Sequence, residues 1–324
     1  MIYFSHMQKK AIIVISLLLT LFLAKVSTVS AVTDARALIN EPNIRVRLYT
    51  SDKPVKFEAD FPYNIYSGQE VKGILYAGEP ATVSFNDGVY NFVSTDLDFS
   101  SSDPIRFVPD ELTYYFKLTN YTRKVSGRGG INFNTYRGVM EYRYSPKNDI
   151  PYIINELPLD EYVAGVAESA NDVAPEYAKA LLVAARSYAY QMIAPTTEKH
   201  LFDIYPTTVD QIYLGYNSEL VMPKIVQAEQ DTYGEMVTYN GNPVLTPYFG
   251  HSNGHTLDFK PIKGGQKRPW LKSVVAKYDK GLKLWGHGLG MSTHDASQRA
   301  LKDGWTYEEI LKYYYSNTEV EKIY

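Results

Sequence analysis

The sequence predicts a mixed α+β fold, with a β-rich N-terminal half followed by a region that mixes helices and strands. Residues 44 to about 151 consist of short runs rich in β-branched and aromatic residues, separated by Gly, Pro, Asn, Asp and Ser. From residue 155 onward, apolar residues recur at the spacing of amphipathic helices. These two observations place most strands first and most helices later.

The β-rich half is predicted run by run. Each run is six to nine residues long, and residues that favour turns separate the runs. The first run also alternates apolar with polar residues. The runs are IRVRLYT, VKGILYAG, ATVSFNDG, VYNFVS, YYFKLTNYT and GVMEYRYS.

A helix is predicted for VAPEYAKALLVAARSYAY at 173–190, because small and apolar residues recur there at helical spacing. Pro175 suits the first turn of a helix. Arg186 is the only charged residue in the second half of this stretch. It is open at this point whether Arg186 extends to the surface, forms a structural ion pair or belongs to a site.

After this helix the sequence predicts a loop-rich stretch through FDIYPTTVDQIYLGYN and then a helix in MPKIVQAEQDTYG. A hairpin is predicted for EMVTYNGNPVLTPYF, because Asn240 and Gly241 form a favoured tight turn.

Two helices are predicted near the end of the sequence. In MSTHDASQRALKDG, Ser292 is the expected N-cap with Asp295 behind it, and Gly304 ends the helix. In TYEEILKYYY, Thr306 and Glu309 are spaced as a capping box.

The first residues predict export. Lys9 and Lys10 precede an apolar run over 11–24, and the residues at 29–31 fit a small-x-small cleavage site. A bilayer-spanning helix needs about 20 apolar residues, so a cleaved signal peptide over 1–31 is favoured over an uncleaved anchor. In either case the body of the protein is expected outside the cytoplasmic membrane, extracellular or in the cell envelope, with membrane contact only through an uncleaved N-terminal segment.

Composition excludes several kinds of protein. The net charge of -3 and the pI of about 6.1 give no overall attraction to nucleic acid, and no nucleic-acid partner is expected. The chain has no cysteine, which excludes disulfides, thiolate catalysis and cysteine-ligated zinc.

Four stretches, in this order and spacing, resemble the SpoIID/LytB family, the sporulation stage II protein D and amidase-enhancer proteins of bacterial envelopes. The stretches are YRGVMEYR through INELPLDEYVAGV, then EYAKALLVAARSYA, then DQIYLGY with PYFGHSNGHT, and finally GHGLGMS followed by YEEILKYYYSNTEV. The resemblance implies a SpoIID-type region over 131–324, after a β-rich region over 32–130, with a fold that could extend back to about residue 44.

The resemblance also implies a catalytic residue. In the family, a Glu just upstream of the Ala-rich helix is regarded as the acid of a peptidoglycan lytic transglycosylase. Counting back from Arg186 without a gap places that position at Glu168. The GHGLGMS stretch matches the family's Gly-His-Gly-x-Gly-Met-Ser, but Thr293 and His294 follow it where the family continues with Gln and then Trp or Tyr.

The remaining site residues are expected to bind the glycan, and Ser252, Gly254 and His255 are expected to line its groove. Arg186 is equally compatible with a structural pairing, and His287 with a structural turn. The expected substrate-binding residues are Lys179, Arg186, Ser187, Tyr188, Ser252, Gly254, His255, His287, Gly288 and Ser292.

The chemistry implied for Glu168 requires an unusual carboxyl group. Cleaving a glycosidic bond requires a proton for the leaving oxygen. When the muramyl 6-hydroxyl is the nucleophile, one carboxyl with a raised pKa can act first as acid and then as base, and burial beside VAGVA would raise it. Glu168 could instead be a solvated carboxylate before a helix, the role expected of its neighbours Asp172 and Glu176.

The histidines leave a metal site open as an alternative. His251 and His255 are four residues apart, but the Asn-Gly between them predicts a loop rather than a helix. A zinc site would need His287 or His294, or a carboxylate, as further ligands. No cofactor is predicted otherwise.

The expected function is therefore cleavage of the bond between N-acetylmuramic acid and N-acetylglucosamine in peptidoglycan glycan strands, with Glu168 as acid and base. One alternative is a non-catalytic glycan-binding protein that enhances a cell-wall amidase, which would then be its partner. The other is a metal-dependent cell-wall hydrolase.

Overall fold

Two antiparallel β-sheets dominate the first half of the computed structural model, which describes residues 40–261 and 265–324. The predicted signal peptide lies outside the described residues. The strands of this half are β1 (Asn43–Thr50), β2 (Val55–Ala59), β3 (Tyr63–Ser67), β4 (Glu70–Leu75), β5 (Ala81–Asn86), β6 (Val89–Val93), β7 (Asp98–Ser101), β8 (Ile105–Pro109), β9 (Tyr115–Leu118), β10 (Thr135–Arg137), β11 (Val139–Ser145) and β12 (Ile150–Pro158).

Within the described residues each of the two sheets has six strands. The first has the order β1-β12-β11-β8-β3-β4, and the second has the order β10-β9-β2-β5-β6-β7. The sheets pack against each other through aromatic side chains: Phe57 on β2 lies with its ring centroid 4.7 Å from that of Phe107 on β8. Burying these apolar faces is the main source of stability expected for such a pair of sheets.

Helices and short strands follow β12, so the mixed α+β fold is confirmed. The helices are α1 (Leu159–Ala164), α2 (Pro175–Met192), α3 (Tyr216–Val221), α4 (Pro223–Asp231), α5 (Thr293–Gln298) and α6 (Tyr307–Tyr314). The strands are β13 (Glu235–Tyr239), β14 (Asn242–Pro243), β15 (Tyr248–Phe249), β16 (Met291–Ser292) and β17 (Glu319–Lys322). Strand β13 pairs with β14 and β17, and β15 pairs in parallel with β16.

Helix α2 is the central helix of this second half. It begins at Pro175, as predicted, and packs against α4, α6 and β13. Its alanines are buried on several sides, which lets these neighbours approach closely. Because the helix is enclosed, Arg186 is in the interior and not at the surface.

The predicted ends of the later elements are confirmed. Ser292 accepts a hydrogen bond from the Asp295 amide at the start of α5, and Thr306 and Glu309 form the capping box of α6. Gly304, with φ of 70°, follows a π-helical turn that continues α5. Asn240 has φ of 51°, as the tight β13–β14 turn requires.

Two short helices were not predicted. Helices α1 and α3 each span only six residues, too few for a periodic apolar pattern to be recognised. Among the helices of the described residues, none is long and apolar enough to cross a membrane.

Candidate functional site

Glu168 lies on a short extended segment between α1 and α2. The Ala167 amide donates to Ile212 O at 2.8 Å, and Val166 forms an antiparallel bridge with Tyr213. Gly165 begins this segment in close contact with Tyr213, where a Cβ atom would lie 2.5 Å from the tyrosine ring. The Glu168 side chain then folds back so that Oε1 accepts a hydrogen bond from the Ile212 amide at 2.7 Å.

Arg128, from the loop between β9 and β10, holds the other side of this segment. Its Nη2 atom donates to the carbonyl oxygens of Ala167 at 3.1 Å and Ser169 at 2.6 Å. The two carbonyl groups flank Glu168 in the chain. A guanidinium with donors in a rigid plane therefore fixes the backbone on both sides of the carboxyl.

Burial raises the pKa of Glu168, and the hydrogen bond from the Ile212 amide only partly opposes this effect. The charge of Glu168 also contributes, after burial, to the raised pKa values of the enclosed phenols of Tyr162, Tyr177 and Tyr248. The carboxyl thus sits in an aromatic environment that favours its neutral, proton-donating form.

Glu168 opens into a groove of about 740 Å³. One wall is the Glu168 segment with Tyr177 and Tyr188 of α2, and another runs from β15 through the turn before β16 to α5. The groove is lined by Glu168, Ser169, Ala170, Val173, Tyr177, Tyr188, Thr208, Val209, Asp210, Gln211, Ile212, Pro247, Tyr248, Phe249, Gly250, His251, Trp285, Gly286, His287, Thr293, His294 and Ser297.

The turn before β16 places an aromatic side chain in the groove. Trp285 is 72% exposed and pairs through its backbone with His251. The turn that follows requires glycine: Gly290 has φ of 73°, and a Cβ atom there would meet Pro247 O at 2.0 Å. An exposed indole in a groove offers a flat apolar face to a sugar ring.

His287, on the same turn, also lines the groove. Its ring is exposed, with the centroid 5.6 Å from that of Phe249, and its Nδ1 atom accepts a hydrogen bond from the Leu289 amide at 3.1 Å. Partial desolvation lowers the pKa of His287, opposed by a hydrogen bond to the Tyr248 backbone. His287 is therefore mostly neutral near pH 7.

A second polar cluster surrounds the buried carboxylate of Asp279. Oδ2 accepts hydrogen bonds from the Ser252 amide and the Ser292 hydroxyl, both at 2.7 Å, and Oδ1 lies 2.8 Å from Nδ1 of His294. Burial alone would raise the pKa of Asp279, but the hydrogen bonds from Ser292, His294 and Ser252 outweigh it, so the pKa is lowered. Asp279 is consequently ionised at neutral pH.

The expected glycan-binding residues differ in whether they line the groove. Tyr188 and His287 line the groove with Glu168, and the Tyr188 hydroxyl donates to Asp210 at 3.0 Å. Ser252 and Ser292 are fully buried and do not line the groove. Both bind Asp279, which in turn contacts His294 of the groove wall.

The others lie away from the groove wall. Ser187 is buried, with its hydroxyl bonded to Val183 O and to the Val237 amide. Lys179 pairs with Asp231 at 3.2 Å and Glu176 at 3.6 Å.

Three more positions belong to the backbone framework. Gly254 donates its amide to the Ser252 hydroxyl, and His255 is exposed and bridges to Val275. Gly288 is buried, and a Cβ atom there would meet Leu257 at 2.8 Å. The expectation that Ser252, Gly254 and His255 line the groove is therefore not met, because their loop pairs with the backbone at Val275 instead. Gly288 does not line the groove either.

Arg186 is placed in the buried interior. Its guanidinium forms ion pairs with Asp160 and, at 3.4 Å, with Glu229, and donates to Glu235 O at 3.1 Å. This placement supports the structural pairing and not substrate positioning. It also keeps a permanent positive charge from pairing with Glu168, which would lower the pKa of the acid.

Sequence reasoning missed Asp279 and Arg128. Asp279 carries no motif, and Arg128 lies in a glycine-rich loop before the resemblance begins. Within residues 40–261 and 265–324, no group of three or more His, Asp or Glu side chains is arranged to hold a metal ion.

Comparisons with known proteins find relatives for the region that carries Glu168. The model of the stage II sporulation protein family, SpoIID, matches residues 148–239, which include Glu168 and α2. An uncharacterized protein of Brachyspira hyodysenteriae is 34% identical over 145 residues, covering 42% of this chain and 39% of that protein.

Two stage II sporulation D proteins are also similar. The Bacillus subtilis protein is 23% identical over 262 residues, 52% of this chain and 76% of that protein. The Bacillus amyloliquefaciens protein is 28% identical over 142 residues, 39% of this chain and 41% of that protein. The match thus spans well under half the length of two of these three relatives. The chain carries a SpoIID domain and is homologous to stage II sporulation protein D.

Proposed function

We propose that this protein binds peptidoglycan glycan strands in the groove and cleaves the bond between N-acetylmuramic acid and N-acetylglucosamine as a lytic transglycosylase. Homology to stage II sporulation protein D implies cell-wall activity of the SpoIID type. The observation that supports this reaction is Glu168, a half-buried carboxyl with a raised pKa that faces a large groove.

The proposed reaction uses Glu168 as the general acid. Its protonated carboxyl gives a proton to the glycosidic oxygen as the bond to muramyl C1 breaks. The muramyl 6-hydroxyl then attacks C1 from within the same sugar and closes a 1,6-anhydro ring, and its proton can pass to the Glu168 carboxylate that the first step leaves behind. Because the nucleophile belongs to the substrate, a second protein carboxylate beside the sugar is not required.

The groove supplies contacts suited to a glycan. Trp285 presents an exposed ring for a sugar face, and Tyr188 and Asp210 offer a hydroxyl and a carboxylate for sugar hydroxyls and acetamido groups. The net charge of the chain is small, so we expect recognition by shape and hydrogen bonds.

A digest of glycan strands tests the proposal. Purified protein covering residues 32–324 is incubated with intact and with peptide-stripped strands, and the products are read by mass spectrometry for 1,6-anhydromuramyl ends. We expect such ends from the parent protein and at least a 100-fold lower rate from Glu168→Gln, because the amide cannot donate a proton as an acid.

Asp172→Asn is the matched control. Asp172 is the next carboxylate along the chain and is exposed in a pair with Lys224, so its loss should leave the rate near that of the parent. If the parent and both variants bind strands and none makes new ends, catalysis is excluded and a glycan-binding enhancer of a cell-wall amidase replaces it.

We also propose that the protein acts outside the cytoplasmic membrane, since its substrate lies there. The N-terminal charge and apolar pattern supports export. Detection of mature protein beginning near residue 32 in the envelope or medium would test this location, and full-length protein retained in the cytoplasm would contradict it.

A further inference from the structure

His294 and Asp279 form a histidine–carboxylate pair at the groove. His294 lies in the first turn of α5, where its backbone amide donates to Gly250 O at 3.0 Å. Thr293 donates its hydroxyl to the same carbonyl group at 3.0 Å. Two hydrogen bonds to one oxygen fix the start of the helix against the end of β15, and so fix the position of the imidazole.

The hydrogen bonds around Asp279 determine the tautomer of His294. An ionised carboxylate only accepts hydrogen bonds, so Nδ1 of His294, 2.8 Å from Oδ1 of Asp279, must carry a hydrogen atom. In the neutral ring, the lone pair is then on Nε2. Within the described residues Nε2 has no hydrogen-bond partner, and the side chain is 41% exposed. His294 is thus oriented as a proton acceptor with its free nitrogen accessible.

His294 and Glu168 meet the same groove from different walls. Tyr177, which also lines the groove, shares a hydrogen bond with Thr293, the residue before His294. The reaction proposed above has two proton movements, one toward the leaving oxygen and one away from the attacking oxygen. An imidazole fixed in the groove with Nε2 free can, in its neutral form, serve the second.

We infer that His294, oriented by Asp279, is the base that removes the proton from the attacking muramyl 6-hydroxyl while Glu168 protonates the leaving oxygen. This inference rests on the proposed function. It assigns proton donation to Glu168 and proton removal to His294, two steps that Glu168 alone would otherwise perform one after the other. His294 stands at a position where the resembling family has Trp or Tyr, so the assignment concerns this chain's own residues.

The proton and bond changes balance. Nε2 of His294 takes the hydrogen of the 6-hydroxyl, the oxygen bonds to C1, and the C1 bond to the leaving oxygen breaks. That oxygen takes the proton of Glu168. The site ends with an imidazolium and a carboxylate, and exchange of one proton with solvent at each residue restores the starting state.

The pH profile of anhydro-end formation tests the inference. With His294 as base, activity should fall on the acid side, where the imidazolium cannot accept a proton, and on the alkaline side, where Glu168 loses its proton. Other groups that could shape this profile near His294 are Asp279, which stays ionised, and His251, whose ring centroid is 6.3 Å away.

The decisive variant is His294→Gln, measured on peptide-stripped glycan strands across the pH range. We expect kcat to fall by about 100-fold or more with little change in KM, and the acid-side fall to disappear. Added imidazole should partly restore anhydro-end formation in His294→Ala, where the missing ring leaves space for a free base. Because the side chain is partly exposed, both variants should keep the parent's unfolding transition.

His200→Gln is the matched control. His200 forms the same kind of pair, with Nε2 2.9 Å from Oδ1 of Asp203, but outside the groove. It should reproduce the parent's rate and pH profile.

The outcomes separate the two proposals. If the parent makes no anhydro ends, the lytic transglycosylase proposal fails and the inference fails with it. If the parent is active and His294→Gln keeps its acid-side fall, or loses activity without a change in profile and without rescue by imidazole, His294 is not the base while Glu168 retains its role.

Discussion

Arg186 illustrates how a single buried side chain can be mistaken for a binding residue. Two carboxyl groups face its guanidinium, which would give the cluster a net negative charge if both were ionised. Burial, followed by the hydrogen bond and charge of Asp160, raises the pKa of Glu229 to about 9. At neutral pH the two carboxyl groups therefore share one proton, and the cluster holds one positive and one negative charge.

Replacing Arg186 should destabilise the fold without altering the groove. Arg186→Met keeps much of the volume but leaves Asp160 buried without its cation, and we expect a loss of about 3–5 kcal/mol in the free energy of unfolding. Urea unfolding at neutral pH measures this. Lys179→Met, which removes a partly exposed cation of the same helix, should cost about 1 kcal/mol or less. Equal losses for the two variants would contradict a buried ion pair at Arg186.

At the residue scale, the sequence predicted the catalytic candidate but could not predict which side chains form ion pairs and hydrogen bonds in the interior. Burial raises the pKa of Glu168, as the hypothesis of an acid beside VAGVA required. The partners of Arg186 are 26 and 43 positions away, and Asp279 is 15 positions from His294. Such pairs depend on how helices and turns pack, which local patterns do not encode.

At the scale of elements, local rules predicted well wherever the signal lies within one turn. The capping box of α6, the N-cap of α5 and the proline at the start of α2 each require only a few adjacent residues. The segment that carries Glu168 is different. Its extended shape comes from pairing with the backbone near Ile212 and from Arg128, both distant in sequence.

Arg128→Ala should loosen the Glu168 segment. Without donors to the carbonyl groups of Ala167 and Ser169, the carboxyl gains solvent, and its pKa should fall toward 4.5, the ordinary value for Glu. Carboxyl-carbon NMR titration measures this directly. Because Glu168 must be protonated to act as an acid, the alkaline-side loss of activity should begin at a lower pH than in the parent. We also expect kcat to be reduced about 10- to 100-fold.

Lys124→Ala is the control for that experiment. Lys124 lies in the same loop and is exposed, so its removal changes the charge of the loop without releasing the segment. A Glu168 titration that is the same in the parent and in Arg128→Ala would show that burial by the groove walls alone holds the carboxyl.

At the scale of the whole molecule, the β-rich first half and the SpoIID region share one sheet. Strand β12, where the family match begins, pairs on one side with β1, and its other neighbour β11 pairs with β8. The resemblance alone suggested a region beginning near residue 131, with a fold that could extend back to about 44. Sheet pairing between strands about a hundred residues apart is the feature that sequence periodicity does not reveal.

A fragment covering residues 131–324 should therefore fail to fold on its own. It would expose the apolar face that packs against the second sheet, leave β12 without β1 and β11 without β8, and lose Arg128 beside Glu168. We expect near-ultraviolet circular dichroism and urea unfolding to show no cooperative transition for this fragment. A protein covering residues 40–324 should show one sharp transition. A cooperative transition in the shorter fragment would mean that residues 131–324 fold without the strands before them. The sequence of the first half could then change without affecting the fold around the groove.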